Sequence, residues 1–332
     1  MESGASVTGQ RTYWHLEGQQ LGSPRRKPQP YDIVTSKLLY HPQRGFEVST
    51  PGAAWMQRHG AGSRLRGSFE AFRDPRATTY ARYVELQAEQ ESFVEQLFLA
   101  AEETGYDAGL SPAWLDVLEA VLPVLRYPSH ALHMLAAYVA QLAPEGRVVV
   151  AGAFQAADEL RRLQHWAQRM RQLQERRAGF GQAAREHWQS HAAWQPLREL
   201  LEHLLVTYDF GEALVALELV VKPALDELYL VQFAALALER GDHLFAQLAH
   251  SLERDCRWQR DWSDAFLRAA LQEQPENLAP LRDWLARWWP PLQAALPPLV
   301  SLWAVEPERA LVLTARVELK CRARWGALGI ES

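Results

Sequence analysis

The chain has 332 residues, 35 Lys and Arg against 40 Asp and Glu, a formal charge of −5 and 48% hydrophobic residues. That much apolar side chain supports one large core or two ordinary ones and excludes a disordered chain. The acidic balance argues against nucleic acid as a partner, and two cysteines, Cys256 and Cys321, exclude a disulfide scaffold and leave a reducing cytoplasm as the expected compartment.

Residues 1–12 are polar and carry no apolar stretch of the secretory kind. Residues 1–50 form a segment of their own. Pro24, Pro28 and Pro30 fix φ and remove donors, so this stretch is not one helix. Yet it holds Tyr13, Trp14, Leu16, Tyr31, Ile33, Val34, Leu38 and Tyr40. Two readings stand: an extended arm that docks on another chain, or a segment packed on its own domain.

From about residue 68 the pattern is helical. Asp74-Pro75 reads as an N-cap and first helical residue. Tyr80, Tyr83, Val84, Leu86, Phe93, Val94, Leu97 and Phe98 then recur at three- and four-residue spacings. Ser111-Pro112 restarts the pattern after Gly105 and Gly109. Further helices are expected over 130–142, 148–170, 194–208, 212–239, 242–271 and 281–289. The longest uncharged stretch, Trp288–Val305, carries Pro290, Pro291, Pro297 and Pro298. Freed carbonyls would go unpaired in lipid, so this is no membrane span and is read as a buried, kinked connection. The stretch 310–319 is open between a strand and a last helix. Long helices without strand signals between them predict an all-α bundle. Three units follow: an arm over 1–50, a helical body over 51–305 and a tail over 306–332.

No Gly-x-Gly-x-x-Gly, no phosphate-cradling loop and no Gly-x-Ser-x-Gly elbow occurs. Helical bundles hold di-iron sites with Glu-x-x-His, because positions i and i+3 share a helix face. That motif is absent. The nearest pieces are Glu199 with His203, Glu239 with His243, His187 with His191 and His130 with His133. Each reads better as surface or capping histidine on a charged helix. Cys256, flanked by Arg254 and Arg257 without a nearby His, reads as a structural thiol. Trp258 with Trp262, and Trp284 with Trp288, read as core or interface.

Several strings carry a family resemblance. They are Arg11-Thr-Tyr-Trp-His-Leu16, Arg26-Lys-Pro-x-x-Tyr31-Asp-Ile-Val-Thr, Phe69-Glu-Ala-Phe-Arg-Asp-Pro75 and Phe210-Gly-Glu-Ala-Leu-Val-x-Leu-x-Leu-Val-Val-Lys-Pro223. Over residues 11–300 the chain resembles the beta subunit of the bacterial toluene/phenol/alkene-type multicomponent di-iron monooxygenase hydroxylase. The resemblance implies a ferritin-like, ribonucleotide-reductase-like bundle with an extended N-terminal arm. It implies an (αβγ)₂ hydroxylase that oxidises aromatic or alkene hydrocarbons with O₂ and NADH-derived electrons. The partners would be alpha and gamma subunits, a second beta subunit in the dimer core, an effector protein and a reductase. The di-iron centre would sit in alpha, with no cofactor, metal or catalytic residue in this chain.

The same resemblance places Asp158-Glu-Leu-Arg161 on alpha's metal-binding motif. There Glu159 stands for a ligand and Arg162 for the histidine, and a guanidinium has no lone pair for a metal. Cys256 and Gln259 would replace the second Glu and His, and Lys222 a third carboxylate. Glu159, Arg162, Lys222, Cys256 and Gln259 are thus expected as the core of a vestigial site, with Glu159 paired to Lys222 or Arg162. Tyr13, Trp14, Tyr31 and Tyr40 are expected to contact a partner subunit. The competing reading is a ferritin-like, metal-binding oxidase in its own right, built on Glu159 and histidines.

Overall fold

A computed structural model describes residues 29–35, 50–304 and 306–331, and the described residues are helices and connections without a strand. Tyr13, Trp14 and Tyr40 lie outside the described residues.

Two short helices come first, α1 (Pro30–Thr35) and α2 (Pro51–Met56). Tyr31 on α1 is 2% exposed; its hydroxyl accepts from the Asp74 N–H at 3.0 Å and its ring lies under Arg73. This corrects the expectation that Tyr31 reaches a partner, because the ring belongs to this chain's own interior. The next helix, α3, spans Tyr80–Glu103 and starts where the Thr79 hydroxyl accepts the Arg82 N–H. The Asp74-Pro75 start is therefore also corrected. The Asp74 carboxylate is used up by the Arg76 and Thr78 N–H groups and the Trp258 indole, and Ala77 turns left-handed at φ 47°. A helix cannot propagate through that residue.

Then follow α4 (Pro112–Val121), α5 (Arg126–Leu142), α6 (Gly146–Arg176), α7 (Ala184–Ser190) and α8 (Gln195–Leu205). Five segments, Phe210–Val215, Ala216–Val221, Lys222–Leu225, Asp226–Gln232 and Phe233–Glu239, run on without a break and are together called α9. Then come α10 (His243–Glu273), α11 (Leu278–Ser301) and α12 (Pro307–Ala327). Asp209 and Asp242 cap α9 and α10, accepting the N–H groups of Glu212 and Phe245 at 3.0 Å.

The centre of the bundle is α9, whose residues Ala213 to Lys222 are all buried. Against it pack α10 and α11; α5 and α6 form an adjoining pair, and α6 crosses α10. The four prolines of α11 do not end it, which corrects the expected kinked connection. All four lie away from the core. A helical proline frees the carbonyl four residues back. Here those carbonyls belong to Ala286, Arg287, Gln293 and Ala294, every one exposed, so water satisfies them. The opposite face buries Trp284, Trp288, Leu292, Leu296 and Leu299.

The tail is resolved as a helix. Leu313, Val317, Cys321 and Trp325 are buried at four-residue spacing along α12. The helix covers the π-helical segment Ala216–Val221, where the wider turn loosens the regular backbone ladder. Trp325 Nε1 donates to the Leu219 carbonyl at 2.9 Å, and Arg324 Nη1 to the Glu218 carbonyl at 2.5 Å. Trp325→Phe leaves the Leu219 carbonyl without its buried donor and is expected to cost about 1–3 kcal/mol. Trp303→Phe removes an indole N–H that makes no hydrogen bond among the described residues and is expected to cost less. Thermal denaturation of the two variants side by side makes the comparison.

Candidate functional site

Three helices bring five polar side chains together at the centre of the bundle. On α6, Glu159 and Arg162 share a face at i and i+3. On α9, Lys222 and Asp226 are one turn apart, and each begins a new segment beside a π-helical stretch. From α10 comes Cys256. Glu159, Lys222, Asp226 and Cys256 are at most 2% exposed and Arg162 6%.

The charges alternate. Lys222 Nζ lies 2.7 Å from Glu159 Oε1 and 3.1 Å from Asp226 Oδ2. Arg162 Nη2 lies 2.9 Å from Asp226 Oδ1, and Nη1 is 3.4 Å from Glu159 Oε2. Glu159 therefore meets both cations, not one of them. Cys256 Sγ sits 2.7 Å from Arg162 Nη2 and 3.6 Å from Lys222 Nζ, and also faces the Leu252 carbonyl at 3.3 Å. Two carboxylates and two cations balance, which a buried site requires. Arg260, 3.8 Å from Asp226, lies at the rim and is held by Glu253 at 2.7 Å.

The protonation states follow. Burial pushes the Asp226 carboxyl up, but Lys222, Arg162 and Arg260 outweigh burial and hold it well below the usual carboxylate range. Burial and Arg162 press the Lys222 ammonium down, yet Asp226 and Glu159 keep it above its ordinary value. Burial drives the Cys256 thiol up, so it stays protonated. A protonated thiol is a poor nucleophile and a poor metal ligand.

Gln259 does not join this cluster, which corrects its expected place. Its Nε2 donates to Asp158 Oδ2 at 3.0 Å. Tyr83 and Gln87 also donate to Asp158, each at 2.8 Å, and Asp255 receives Arg161 Nη1 at 2.8 Å. Burial, and then the charge of Asp255, raise the Asp158 carboxyl well above its usual range. Glu218 makes a third group: Gln155 Nε2 donates to it at 2.5 Å, while Gln155 Oε1 accepts from Trp262 Nε1 at 3.0 Å. Burial lifts Glu218 to about 7.

Sequence reasoning missed Asp226, which completes the charge balance. The signal was present, since it stands four residues after Lys222 on a helix. Nothing in the sequence singles out Glu218.

The residues present do not fit a metal. Lys222 and Arg162 occupy the space between the carboxylates, and neither offers a lone pair. Among the described residues no group of three or more His, Cys, Asp or Glu is disposed to hold an ion. The histidine pairs lie elsewhere. His130 and His133 have ring centres 6.0 Å apart, with His133 Nδ1 on the Ala156 carbonyl. Two further histidines, His187 and His191, lie on and just beyond α7.

Residues 55–274 match the family described as methane/phenol/alkene hydroxylase. The chain belongs to that family. It is 36% identical over 288 residues to the beta subunit of the toluene-4-monooxygenase hydroxylase component of Ectopseudomonas mendocina, covering 84% of this chain and 86% of that one. Its fold matches a chain of the solved structure of toluene 4-monooxygenase with toluene in the resting active site. There the TM-score is 0.82 at 34% identity, over 91% of this chain and 99% of that chain. A chain of phenol hydroxylase from Pseudomonas sp. OX1 shares the fold at TM-score 0.86 and 19% identity, over 100% of this chain and 99% of that one. The helical hydroxylase-subunit fold is thus that of this chain, and it is a hydroxylase component of the multicomponent monooxygenase type.

Two outcomes are expected from the buried charges of this hydroxylase-family bundle. Lys222→Met strands Glu159 and Asp226 against Arg162 alone and is expected to cost about 3–5 kcal/mol, read by denaturant unfolding. Lys222→Met with Glu159→Gln removes the stranded charge and is expected to recover part of that loss. The second outcome concerns pH. Glu218 ionises near 4.5 when unfolded and about 7 when folded, so the folded state holds the extra proton between those values. Stability is then expected to fall by about 3 kcal/mol as pH rises from about 4.5 to 7, and to level off above. Glu218→Gln is expected to remove that slope, measured as the unfolding midpoint at a series of pH values.

Proposed function

We propose that this chain is the non-catalytic beta subunit of a di-iron monooxygenase hydroxylase, assembled as an (αβγ)₂ hexamer in the cytoplasm. The alpha subunit would hold the iron and oxidise an aromatic or alkene hydrocarbon, with electrons from a reductase and control by an effector protein. The observation that carries this is the central charge cluster. Where a ferritin-like bundle could gather carboxylates around a metal, Lys222 and Arg162 supply the compensating positive charge and bring no lone pair. The bundle keeps its shape by internal ion pairing. Membership of the hydroxylase family, with a relative named as a beta subunit, supports the assignment of the subunit type.

The role of such a chain is to fold stably and present surface to its partners. The test is co-expression with the neighbouring hydroxylase genes followed by affinity purification. The expected result is a stoichiometric complex whose iron resides in the larger subunit, while this chain purified alone holds almost none. Tight, stoichiometric iron in the lone chain would instead support the oxidase reading. Removal of residues 1–28, which leaves the buried Tyr31 in place, is expected to weaken assembly while the melting temperature of the isolated chain stays near that of the full chain.

A further inference from the structure

Of the 24 residues of α3, only Val94 and Phe98 are buried. The rest of its inner face is polar. Tyr83, Gln87, Gln90, Val94 and Phe98 follow one another at three- and four-residue spacing and so share one side of the helix. The Tyr83 hydroxyl lies 2.8 Å from Asp158 Oδ1 of α6, and Gln87 Nε2 donates to the same oxygen at 2.8 Å. Gln87 and Gln90 Nε2 donate to Asp255 Oδ1 of α10 at 3.2 and 3.0 Å. Glu91 receives Arg161 of α6, and His165 Nε2 lies 3.0 Å from it. The chain is fastened separately on either side. Before α3, Asp74 accepts the Thr78 N–H. After it, beyond the left-handed Gly105, the Tyr106 hydroxyl donates to the Gly241 carbonyl at 2.9 Å. Helix α3 thus rests mainly on two carboxyl groups supplied by other helices.

Those two carboxyl groups are buried neighbours, since one nitrogen, Gln87 Nε2, touches both. Asp255 meets Arg161 Nη1 at 2.8 Å. Asp158 meets no cation among the described residues; its partners are Tyr83, Gln87 and Gln259, all neutral. The other charges around the pair are engaged or remote. Arg161 also serves Glu91, and Glu159 is held by Lys222 and Arg162. Arg76 and Arg254 line a cleft of about 150 Å³ beside Asp255 and Glu89; Arg76 lies 3.7 Å from Asp261, and Arg254 is exposed. Burial and Arg161 press the His165 imidazolium down, so its ring is neutral. Burial, and then the charge of Asp255, push the Asp158 carboxyl up. Hydrogen counting agrees. The Tyr83 hydroxyl has one hydrogen and two acceptors in reach, Asp158 Oδ1 at 2.8 Å and the Phe154 carbonyl at 3.4 Å. A proton on Asp158 serves both: Asp158 donates to the Tyr83 oxygen, and Tyr83 donates to the carbonyl.

We propose that Asp158 and Asp255 hold one proton between them and that this proton fastens α3 to the bundle, so that its loss releases the helix. Without it, Asp158, Asp255 and Glu91 face Arg161 alone, which leaves two uncompensated negative charges in the seam. Helix α3 has nothing to answer them, because the sequence carries no Lys, Arg or His from Tyr83 to Leu125. Buried unpaired charge is expensive, and water is its simplest relief. The helix that moves to admit water is α3, since it has the least apolar surface to lose. The sign follows from proton binding. The fastened form holds a proton that the released form gives up, so release is favoured as pH rises from the ordinary carboxylate range to that of the pair, and levels off above it. The inference concerns a movement within this chain and goes beyond the subunit assignment.

The test is hydrogen–deuterium exchange on the full chain at a series of pH values, with rates corrected for the intrinsic pH dependence of exchange. The opening constant of α3 is expected to rise with pH, by at most about tenfold per unit, the limit for a single proton. Helices α5 and α11 are expected to change less. Asp158→Asn keeps an oxygen for Gln87 and cannot ionise, so its α3 is expected to open without that dependence. Infrared spectra of the full chain with isotope-labelled aspartate, which sets Asp158 apart from Glu218, supply a measurement that needs no variant. A protonated aspartic acid is expected to persist at pH values where exposed carboxyl groups have ionised. Opening of α3 that follows pH no more than α5 and α11 do overturns the proposal, as does an unchanged slope in Asp158→Asn, or the absence of that protonated aspartic acid. An Asp158→Asn chain that does not fold shows that the site needs the charge and overturns it as well.

Discussion

The interaction on which the bundle depends is the alternation of Glu159, Lys222, Asp226 and Arg162 at its centre. Two carboxylates buried side by side would repel, and each would lose its water. The cations cancel that charge at 2.7 to 3.4 Å. Such a cluster is seldom more stable than a well-packed apolar core of the same shape, but breaking it is costly. It therefore ties α6 and α9 to one register, because a slide of either would strand a charge, while α10 closes the site with the neutral Cys256 thiol.

The irregular backbone of α9 belongs to the same arrangement. Its two π-helical segments flank the short stretch that carries Lys222. Wider turns loosen the regular ladder, and α12 brings the Trp325 and Arg324 donors to two carbonyls of the first segment. The last helix is thus part of the core rather than an appendage. A core so built fills its centre with ion pairs, whose cations have no lone pair to offer a metal.

Much of the fold was legible in the sequence. Apolar residues at three- and four-residue spacing located the long helices, and Ser111, Asp209 and Asp242 are at their starts. Two local expectations failed for identifiable reasons. Asp74-Pro75 looked like a helix start, but Ala77 is left-handed and Asp74 spends its oxygens on the loop and on Trp258. The proline pairs of α11 looked like a break, but they sit on the wet face, where the carbonyls they free meet water. The first outcome joins a local turn to the distant Trp258 indole, and the second depends on which face of α11 the bundle covers.

At the site, the sequence by itself determined which charges are available: Glu159 and Arg162 at i and i+3, Lys222 and Asp226 at i and i+4, and no Glu-x-x-His. These spacings fix which pairs share a helix face, since helical periodicity is local. The tertiary structure alone decided that α6, α9 and α10 converge so that Lys222 reaches Glu159 and Arg162 reaches Asp226. It also sent Gln259 to Asp158 and took Tyr31 into the interior. Contacts between helices depend on crossing geometry and on the burial of whole faces, and no spacing along one chain segment encodes either.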